Sequence, residues 1–472
     1  MTALAPFALE IGLGALLVAV LAAGLLLPRD AQRPVAWLAT LGVLALLAAS
    51  MLLPTTPPAL GGRFVQDGLA LFVKRLFLAA TFIGLLAGIS LPGHAFARRA
   101  AEYHVLILAS LLGMLVLASA RDLILLFLAF ELMSIPLYVL AGFRKERPEA
   151  VEASLKFFLV GSVSSAVMAY GLSFVYGATR TTDLAAVARA LEEGHPLLGL
   201  GLLLALVGLA FKVAAFPFHM WVPDAYEAGP TPFVAWLSVA PKAAGFVALF
   251  RVFFENAGEH AATWVPIAAA LATVTMLAGN LMAIPQQNAK RLFAYSGIAQ
   301  IGYMLVGVAA ASASGTAMVL FYLVAYVFGN MGAFLVVDAL ARAEGSEGTS
   351  AFRGLAQRSP LLALAMLLFL LSLGGIPFVA GFWAKLYVFW AAAEQGLYWL
   401  VLLGAILTVV ALFYYLVVAK RMYIEPPARP DRVPLTPTLA AAVLLCALGV
   451  VILGLYPKPV VMAALRVATP LF

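Results

Sequence analysis

The segment FKVAAFPFHMWVPDAYEAGPTP, from Phe211 to Pro232, decides the fold. It lies in a strongly apolar chain, yet Lys212 stands five residues before Pro217, and three more prolines, a histidine and two acids follow. Proline removes a backbone donor and kinks or interrupts a helix. Inside a membrane, irregular backbone is tolerated only where protein or water surrounds it. The segment therefore predicts a membrane helix that is broken beside a buried lysine.

The composition of the whole chain is typical of an integral membrane protein. Its 472 residues are 64% hydrophobic and 11% charged, with a mean hydropathy of +1.04. A soluble domain carries about twice that share of charged residues. We predict an all-α polytopic protein with about 14 spans, each long enough to cross roughly 30 Å of hydrocarbon. The predicted spans begin near Leu4, Val35, Gly68, Tyr103, Leu123, Val151, Leu197, Thr231, Trp264, Leu292, Thr316, Leu361, Leu397 and Leu435.

The net charge of +7 follows from membrane topology and does not indicate a nucleic-acid partner. The connections between the predicted spans alternate between two faces, and one face holds sixteen of the 29 Lys and Arg residues against seven on the other. The positive-inside rule makes the basic face cytoplasmic. We therefore predict a multi-pass protein of the bacterial cytoplasmic (inner) membrane, with both termini on the periplasmic side.

The sequence offers no redox centre of its own. The single cysteine, Cys446, excludes an internal disulfide, and iron–sulfur clusters usually need four thiolates. The five histidines lack metal-ligand spacing, and the chain has neither a G-x-G-x-x-G motif nor a P-loop. We expect no cofactor and no metal in this chain, so any redox chemistry takes place in another subunit.

Several basic residues fall inside the predicted spans. Lys74 and Arg75 lie about two turns from a span end, and we expect them to snorkel to the interface. Lys212, Lys242 and Lys385 lie deeper, where a charge costs at least ~2.5–3.5 kcal/mol and requires partners or water. Intramembrane ionisable residues usually mark ion pathways. These three lysines are therefore the first candidates for a functional site.

An acidic residue belongs with these lysines. Glu131 is nine residues past Asp122, hence ~13 Å along a helix and near the membrane centre. Lys156 opens the next span, and we expect it to approach Glu131 from a neighbouring helix. The alternative is a buried ion pair that only fixes helix packing.

Two similar segments predict an internal repeat. Lys212 with FPFHMW lies on the seventh span and Lys385 with IPFVAGFW on the twelfth, so the two broken helices run in opposite directions. This is the pattern of inverted repeats with sites near the midplane. We predict four parts, which are three N-terminal helices (1–102), a first five-helix repeat (103–255), a second, inverted repeat (256–424) and a last helix (425–472).

Four segments resemble a known family. FELMSIPLYVLAGF, EASLKFFLVGSVSSA, FKVAAFPFHMWVPDAYEAGPTP and KRLFAYSGIAQIGYMLVG resemble the antiporter-like subunits of proton-pumping NADH:quinone oxidoreductase, respiratory complex I. The resemblance runs from about Tyr103 to Tyr423. Within the family the chain most resembles subunit N, because Lys385 stands where subunit M characteristically has a glutamate.

The resemblance implies one proton path assembled from two half-channels. Glu131 and Lys212 would be the coupled pair of the first unit, and Lys156 would modulate this pair or relay protons to it. Lys242 would be the central link, and Lys385 the terminal donor to the outside.

Three further residues are secondary candidates for this path. His219 lies beside the predicted break, Tyr295 lies in the AYSGIAQ segment, and Gln300 stands where the family often has a histidine. The resemblance also implies FMN, iron–sulfur clusters and quinone in other subunits. The implied partners are complex I membrane-arm subunits of the M, K and J types, together with the lipid bilayer.

Three alternatives remain open from the sequence. An Mrp-type cation/proton antiporter subunit shares the lysine pattern. A purely structural membrane-arm subunit would use its ion pairs only to hold helices together. The equivalent subunit of a photosynthetic or hydrogenase-type complex would differ only in the electron donor.

Overall fold

The protein is built almost entirely from membrane-length helices. A computed structural model describes residues 2–28, 32–91, 96, 98–191, 196–254, 261–427 and 429–472. Within these residues, thirteen helical segments are at least 18 residues long and apolar enough to cross a membrane. A further crossing is made of two shorter helices, Pro360–Gly374 and Ala380–Glu394, so the predicted fourteen spans are all represented. The predicted all-α polytopic fold is confirmed.

The elements follow one another along the chain with short connections. The α-helices are α1 (Ala8–Leu26), α2 (Arg33–Ser50), α3 (Gly68–Gly88), α4 (Ala100–Ser119), α5 (Leu123–Ala141), α6 (Pro148–Thr179), α7 (Leu184–Ala190), α8 (Pro196–Val213), α9 (Trp221–Ala228), α10 (Thr231–Leu237), α11 (Ala240–Phe253), α12 (Ala261–Ala283), α13 (Ala289–Ala309), α14 (Ala313–Glu344), α15 (Leu355–Arg358), α16 (Pro360–Gly374), α17 (Ala380–Glu394), α18 (Tyr398–Tyr423), α19 (Pro437–Leu455) and α20 (Lys458–Ala468). Short 3₁₀-helices lie at Thr2–Phe7, Leu60–Gly62, Thr349–Phe352 and Thr469–Leu471. An antiparallel hairpin pairs β1 (Thr56–Ala59) with β2 (Phe64–Gln66).

Polar caps fix where several spans begin. The side chains of Asp67, Asp122, Asn288 and Ser312 accept hydrogen bonds from backbone N–H groups in the first turns of α3, α5, α13 and α14. These N–H groups have no partner within the helix, so a cap typically contributes ~1 kcal/mol. The caps set the register in which the later charged residues enter the membrane.

The interior of the protein lies around three helical segments. The segment Thr231–Phe253, which comprises α10 and α11, is buried throughout, and α13 and α14 are nearly so. In contrast, most of α1 is not buried, and several of its leucines are exposed. Apolar side chains on the outside of a membrane protein face lipid, so the interior is where polar groups are found.

The seventh crossing is broken as predicted. Helix α8 ends at Val213, and residues 214–220 separate it from α9. Ala214 adopts a left-handed conformation, with φ +65°, and the N–H of Ala215 donates to the carbonyl of Ala210 over 2.9 Å. This bond satisfies a carbonyl that the helix end would otherwise leave unpaired.

The first half-helix of the twelfth crossing, α16, ends in the same way. The left-handed residue is Gly375, with φ +81°, and the N–H of Ile376 donates to the carbonyl of Leu371 over 3.0 Å. Each break thus lies in the fourth helix of a predicted five-helix repeat and uses the same hydrogen-bond pattern. The domain boundaries stay a prediction, and the one between residues 255 and 256 lies outside the described residues.

A third interruption divides the eighth crossing. Helix α10 ends at Leu237, Val239 departs from helical dihedral angles, and α11 begins at Ala240. The hydroxyl of Ser238 donates to the carbonyl of Ala235 and accepts from the amide of Asn330. Lys242 therefore lies in the first turn of a new helix, as expected from Pro241.

The expectation that Lys74 snorkels was wrong. The side chain of Lys74 is fully buried, and its Nζ lies 2.6 Å from Oε1 of Glu10 on α1. Arg75 donates two hydrogen bonds to the carbonyl of Ser50. The residue count gave the depth along α3 but not the direction of each side chain, and both side chains point at neighbouring helices.

A buried arginine connects the first three helices to the first repeat. Arg251 at the end of α11 is fully buried and forms two parallel hydrogen bonds with the carboxylate of Asp67, over 2.7 and 2.8 Å. It also donates to the carbonyl of Ala118 at the end of α4. Helices α3, α4 and α11 thus meet at one junction. Its hydrogen bonds involve charged groups and are therefore stronger than hydrogen bonds between neutral groups.

We expect Asp67→Asn to lower the thermal stability of the protein. Breaking a buried ion pair typically costs about 3–5 kcal/mol, and we expect the lower end because Asp67 is 29% exposed. Burial raises the pKa of Asp67, but the guanidinium of Arg251 outweighs it and holds the pKa below the ordinary 3.8. The stabilisation is therefore fully present above that value and disappears as the pH falls through the lower folded value.

Thermal denaturation of the detergent-solubilised protein over a pH series measures both effects. The exposed residue Asp431 gives the matched control, Asp431→Asn. An unchanged melting temperature in Asp67→Asn at neutral pH would contradict the proposed junction.

Candidate functional site

The three predicted lysines are buried beside the helix breaks. Lys212, Lys242 and Lys385 are 2%, 1% and 4% exposed, respectively. Lys212 lies in the last turn of α8, Lys242 in the first turn of α11, and Lys385 in α17, which follows the second break. The predicted placement of all three is confirmed. At this depth each ammonium group requires compensation from its neighbours.

Lys212 is held by neutral groups. Its Nζ donates to Oγ of Ser134 over 2.7 Å and lies 5.2 Å from the centre of the Phe130 ring. Both partners are on α5. The C-terminal end of a helix carries partial negative charge and stabilises a cation in its last turn. A hydroxyl, a ring face and a helix end together compensate this ammonium group.

Glu131, the expected coupling partner of Lys212, has its hydrogen-bond partner on another helix. It is half-buried, and its Oε1 accepts a hydrogen bond from the hydroxyl of Ser165 on α6, over 2.5 Å. Ser134 lies one turn further along α5 than Glu131, so the two charged groups are linked through the same helix rather than by a contact. Sequence reasoning missed Ser134 and Ser165, although both lie in the segments that carried the resemblance.

Lys156 lies away from Glu131, and the expected approach was wrong. Its side chain is half exposed, and its Nζ pairs with Glu152 over 2.7 Å and with Asp224 over 3.2 Å. Glu152 is one turn earlier on α6, and Asp224 is on α9. The residue thus contacts the broken seventh crossing at its second half.

Asp224 belongs to a series of ion pairs that joins the two repeats. Arg291 at the start of α13 binds both Asp224 and Glu227, each over 2.9 Å. Asn288 donates a further hydrogen bond to Glu227. Fully buried Lys290 pairs with Glu347 and donates to the carbonyls of Glu227 and Gly229. Helix α9 of the first repeat is therefore anchored to α13 of the second.

Lys242 occupies a buried space lined by tyrosines. Its Nζ lies 5.3 Å from the centre of the Tyr226 ring. A methyl group placed on Gly297 would lie 2.9 Å from the hydroxyl of Tyr326 and 3.6 Å from Nζ of Lys242. Within the described residues, Nζ and the hydroxyls of Tyr226 and Tyr326 have no protein hydrogen-bond partner. The glycine leaves open the space between the ammonium group and the Tyr326 hydroxyl.

Lys385 folds back onto the break that precedes it. Its Nζ lies 3.5 Å from the carbonyl oxygen of Gly374, at the end of α16, and 4.4 Å from the centre of the Tyr303 ring. A Cβ on Gly375 would lie only 3.0 Å from Cδ of Lys385. The left-handed glycine therefore lets the lysine reach the carbonyl end of the preceding half-helix.

Gln300 is the centre of a buried polar network in the second repeat. Its amide donates to the carbonyl of Leu373 and to the hydroxyl of Tyr415, and its Oε1 accepts from Tyr322. The hydroxyls of Tyr415 and Ser296 are 2.5 Å apart. The network thus reaches from α13 to α14, α16 and α18.

A second chain of hydrogen bonds includes Tyr303, whose ring contacts Lys385. Asn280 donates to the hydroxyl of Tyr303 and accepts from that of Tyr414. The sequence contained a signal for the network, since Ser296, Gln300 and Tyr303 are four and three residues apart and so share one face of α13.

The remaining secondary candidates lie at the edges of this arrangement. His219 is buried and its ring stacks on Phe216, with ring centres 5.1 Å apart. Tyr295 is half-buried and no hydrogen bond ties it to the Gln300 network. Across the described parts of the chain, no group of three or more His, Cys, Asp or Glu residues is arranged to hold a metal ion.

The sequence has named relatives. The family described as NADH:quinone oxidoreductase/Mrp antiporter, TM, matches residues 120–411. A protein of Moorella thermoacetica named NADH-quinone oxidoreductase subunit N is 42% identical over 466 residues, covering 98% of this chain and 98% of that protein. A protein of Heliobacterium modesticaldum with the same name is 40% identical over 458 residues, covering 96% and 97%.

Solved structures share the fold. A chain of respiratory complex I from Thermus thermophilus with bound aureothin is 35% identical, with a TM-score of 0.82, and the match covers 97% of this chain and 99% of that one. A chain of the Mrp complex from Dietzia sp. DQ12-45-1b reaches a TM-score of 0.89 at 21% identity, covering 100% and 98%. At that identity the second match shows a common fold alone.

We expect Arg291→Gln to loosen α9. The substitution removes the cation that binds two carboxylates. We expect the local stability of α9 to fall by about 1–2 kcal/mol, a value between that of an exposed ion pair and that of a buried hydrogen bond to a charged group. Hydrogen–deuterium exchange of residues 221–228 measures the effect, because these amides would exchange faster. Arg353→Gln is the control, since it removes an exposed pair with Glu425 elsewhere. Equal exchange of residues 221–228 in both variants would show that the ion pairs do not anchor α9.

Proposed function

The chain belongs to the NADH:quinone oxidoreductase/Mrp antiporter membrane family, and from this premise we propose that it acts as subunit N of a proton-translocating NADH:quinone oxidoreductase. The resemblance to complex I is confirmed by relatives of about 40% identity over nearly the full chain. One observation carries the proposed chemistry, namely the burial of Lys212, Lys242 and Lys385 beside three helix interruptions.

We propose that protons pass along these lysines in chain order. Lys212 takes up a proton from the cytoplasmic side, with Glu131 changing its affinity through α5. Lys242 is the central link, and Lys385 releases the proton towards the outside. A lysine whose surroundings change from charged to neutral in a low dielectric loses its proton more readily, so conformational change arriving along the membrane arm would move the charge.

The side chains between the lysines support this order. Ser134 accepts a hydrogen bond from Nζ of Lys212 and lies one turn from Glu131 on α5, so it connects the first two groups. In the second half of the path, the tyrosine hydroxyls near Lys242 and the network around Gln300 take the place that Ser134 has in the first half. Lys156 acts in this proposal through its ion pair with Asp224, and His219 and Tyr295 are left as packing residues.

The reaction coupled to this path takes place in other subunits. We propose that FMN, iron–sulfur clusters and quinone belong to those subunits, and that this chain binds no cofactor. The partners are other membrane-arm subunits of complex I, and we propose neighbours of the M, K and J types. The protein is a multi-pass protein of a bacterial membrane, and the excess of basic residues on one face supports termini on the periplasmic side.

The alternatives make different predictions. An Mrp-type antiporter subunit would support sodium-dependent transport without NADH-linked activity, and its likeness here is of fold alone. A purely structural subunit would lose assembly when its buried charges are removed. The proton path instead requires assembled complexes with impaired pumping.

We expect Lys212→Ala and Glu131→Ala to leave the complex assembled and to reduce quinone-linked proton pumping roughly tenfold or more, since loss of a proton-transferring group typically costs at least 10²-fold. Pumping by inverted membrane vesicles under NADH is the measurement, with assembly checked by the amount of intact complex. The exposed residue Lys420 gives the control, Lys420→Ala. Normal pumping in both buried variants would refute the assignment, and loss of the complex would favour the structural alternative.

Gly297→Ala tests the central link without removing a charge. Alanine favours a helix by roughly 1 kcal/mol over glycine, so we expect normal assembly. The added methyl group would crowd the Tyr326 hydroxyl beside Nζ of Lys242, and we expect pumping to fall severalfold. The control is Gly14→Ala on α1, where an added methyl group meets no neighbour within 4 Å. Unimpaired pumping in Gly297→Ala would show that this space is not used.

A further inference from the structure

A row of side chains spaced four residues apart runs along α14. Residues at this spacing are neighbours on a helix and form a continuous ridge. Five of the six members are polar, and in chain order the row is Tyr322, Tyr326, Asn330, Phe334, Asp338 and Arg342. Tyr322 belongs to the Gln300 network, and the connection that follows α14 belongs to the basic face of the protein. The row therefore runs from the buried network to that face.

The Arg342 end of the row borders a polar cavity. This cavity has a volume of about 480 Å³, and its lining includes Arg147, Glu227, Asp338, Arg342 and Ser346. Arg147 and Ser346 are exposed, so the cavity is open at the surface of the protein. Asp338 is only 3% exposed and pairs with Arg342 over 2.6 Å. Asp338 therefore marks the inner end of the cavity.

Further along the row, polar atoms lie beside Lys242. Within the described residues, the hydroxyl of Tyr326 and the side-chain oxygen of Asn330 are buried and have no hydrogen-bond partner in the protein. The side-chain nitrogen of Asn330 donates to Ser238, in the interruption that precedes Lys242. Buried polar groups are nearly always hydrogen-bonded, either to protein or to ordered water. These atoms are thus suited to bind water next to Lys242.

Phe334 separates the two polar regions. It is fully buried, and its ring makes edge contacts with the rings of Tyr226 and Phe293, with ring centres 5.7 Å apart in both pairs. The Tyr226 ring also contacts Nζ of Lys242. The polar neighbours of Phe334 in the row are eight residues apart, hence ~12 Å along α14. One aromatic cluster thus lies between the cavity and the central lysine.

We propose that the row is a route from the cavity to Lys242 and that Phe334 closes it. Hydrophobic constrictions in membrane proteins act as barriers by excluding water. In the proton path proposed above, this barrier prevents a proton on Lys242 from returning to the side from which Lys212 took it, and this role rests on the proposed function. The barrier itself does not, so the two are tested separately.

Reaction with silver ions tests the barrier without reference to pumping. Ag⁺ binds soft thiolate ligands and is smaller than a water molecule, so it enters water-filled space. The intact complex in inverted membrane vesicles, which expose the basic face, carries Ala341→Cys in the cavity or Asn330→Cys beyond Phe334. Mass spectrometry measures the fraction of each thiol that silver protects from later alkylation. We expect protection of Ala341→Cys and none of Asn330→Cys.

Double variants then open the barrier. In N330C/F334S the aromatic ring is replaced by a small polar group, and we expect severalfold more protection of the Asn330→Cys thiol than in N330C/F334L, which keeps an apolar side chain. Cys446 of the same chain is 0% exposed and is the internal reference, because silver should not reach it in any variant. F334A opens the same position if F334S fails to assemble.

The ratio of protons pumped to NADH oxidised tests the role of the barrier. In Phe334→Ser protons return through the opened route, so we expect this ratio to fall while NADH oxidation is retained. We expect an unchanged ratio in Phe334→Leu. The matched control is Phe77→Ser on α3, which removes an equally buried ring away from the row. A merely structural role for Phe334 would make the two serine variants alike.

Four outcomes would count against the proposal. Protection of Asn330→Cys with Phe334 in place would show that there is no barrier. Absence of protection at Ala341→Cys would show that the cavity does not reach the cytoplasm. Equal protection in N330C/F334S and N330C/F334L would show that Phe334 does not close the route. Raised protection in N330C/F334S with an unchanged ratio of protons to NADH in Phe334→Ser would refute the role in the proton path and leave the barrier established.

Discussion

The burial of ammonium groups in hydrocarbon is the constraint on which the rest of the structure depends. Each such charge costs at least ~2.5–3.5 kcal/mol, and this protein compensates its lysines in two ways. Lys74 and Lys290 lie 2.6 and 2.7 Å from carboxylates. Lys212, Lys242 and Lys385 instead contact a hydroxyl, a carbonyl and aromatic rings, with ring centres 4.4–5.3 Å away. A carboxylate in contact holds a lysine charged, whereas neutral dipoles favour the charge only weakly. We propose that the first kind of lysine fixes helices and that the second kind exchanges its proton.

The helix break of the twelfth crossing supplies one of those neutral groups, the carbonyl of Gly374. The last carbonyls of a helix have no partner within that helix, so a nearby lysine can donate to them. The left-handed residues Ala214 and Gly375 end α8 and α16 with the same hydrogen-bond pattern, and Lys385 reaches the last carbonyl of α16. The ion pairs of Arg291 then connect α9, just beyond the first break, to the second repeat. The second half of the broken seventh crossing is therefore held by contacts with α13.

The sequence was sufficient for the breaks and for the depth of each charge, but not for the direction of the side chains. Proline and glycine act on the local backbone, so the interruptions near Lys212 and Lys385 could be predicted from the chain alone. Direction around a helix is normally inferred from an apolar stripe, and these spans are apolar on every side. Lys74 and Lys156 were misjudged for this reason, since one points at Glu10 and the other at Asp224. The partners of a side chain depend on how the helices pack against one another, and this packing could not be predicted from the sequence.

Gln300 shows how the second half of the path differs from the first. An amide side chain has both donors and acceptors but does not gain or lose a proton at physiological pH. In this protein its donors go to Leu373 and Tyr415 and its acceptor receives Tyr322, so all three directions are fixed. A hydroxyl, in contrast, can accept one proton while it donates another. In this half we therefore propose that the amide orients the network and that the tyrosine hydroxyls around it carry the transfer.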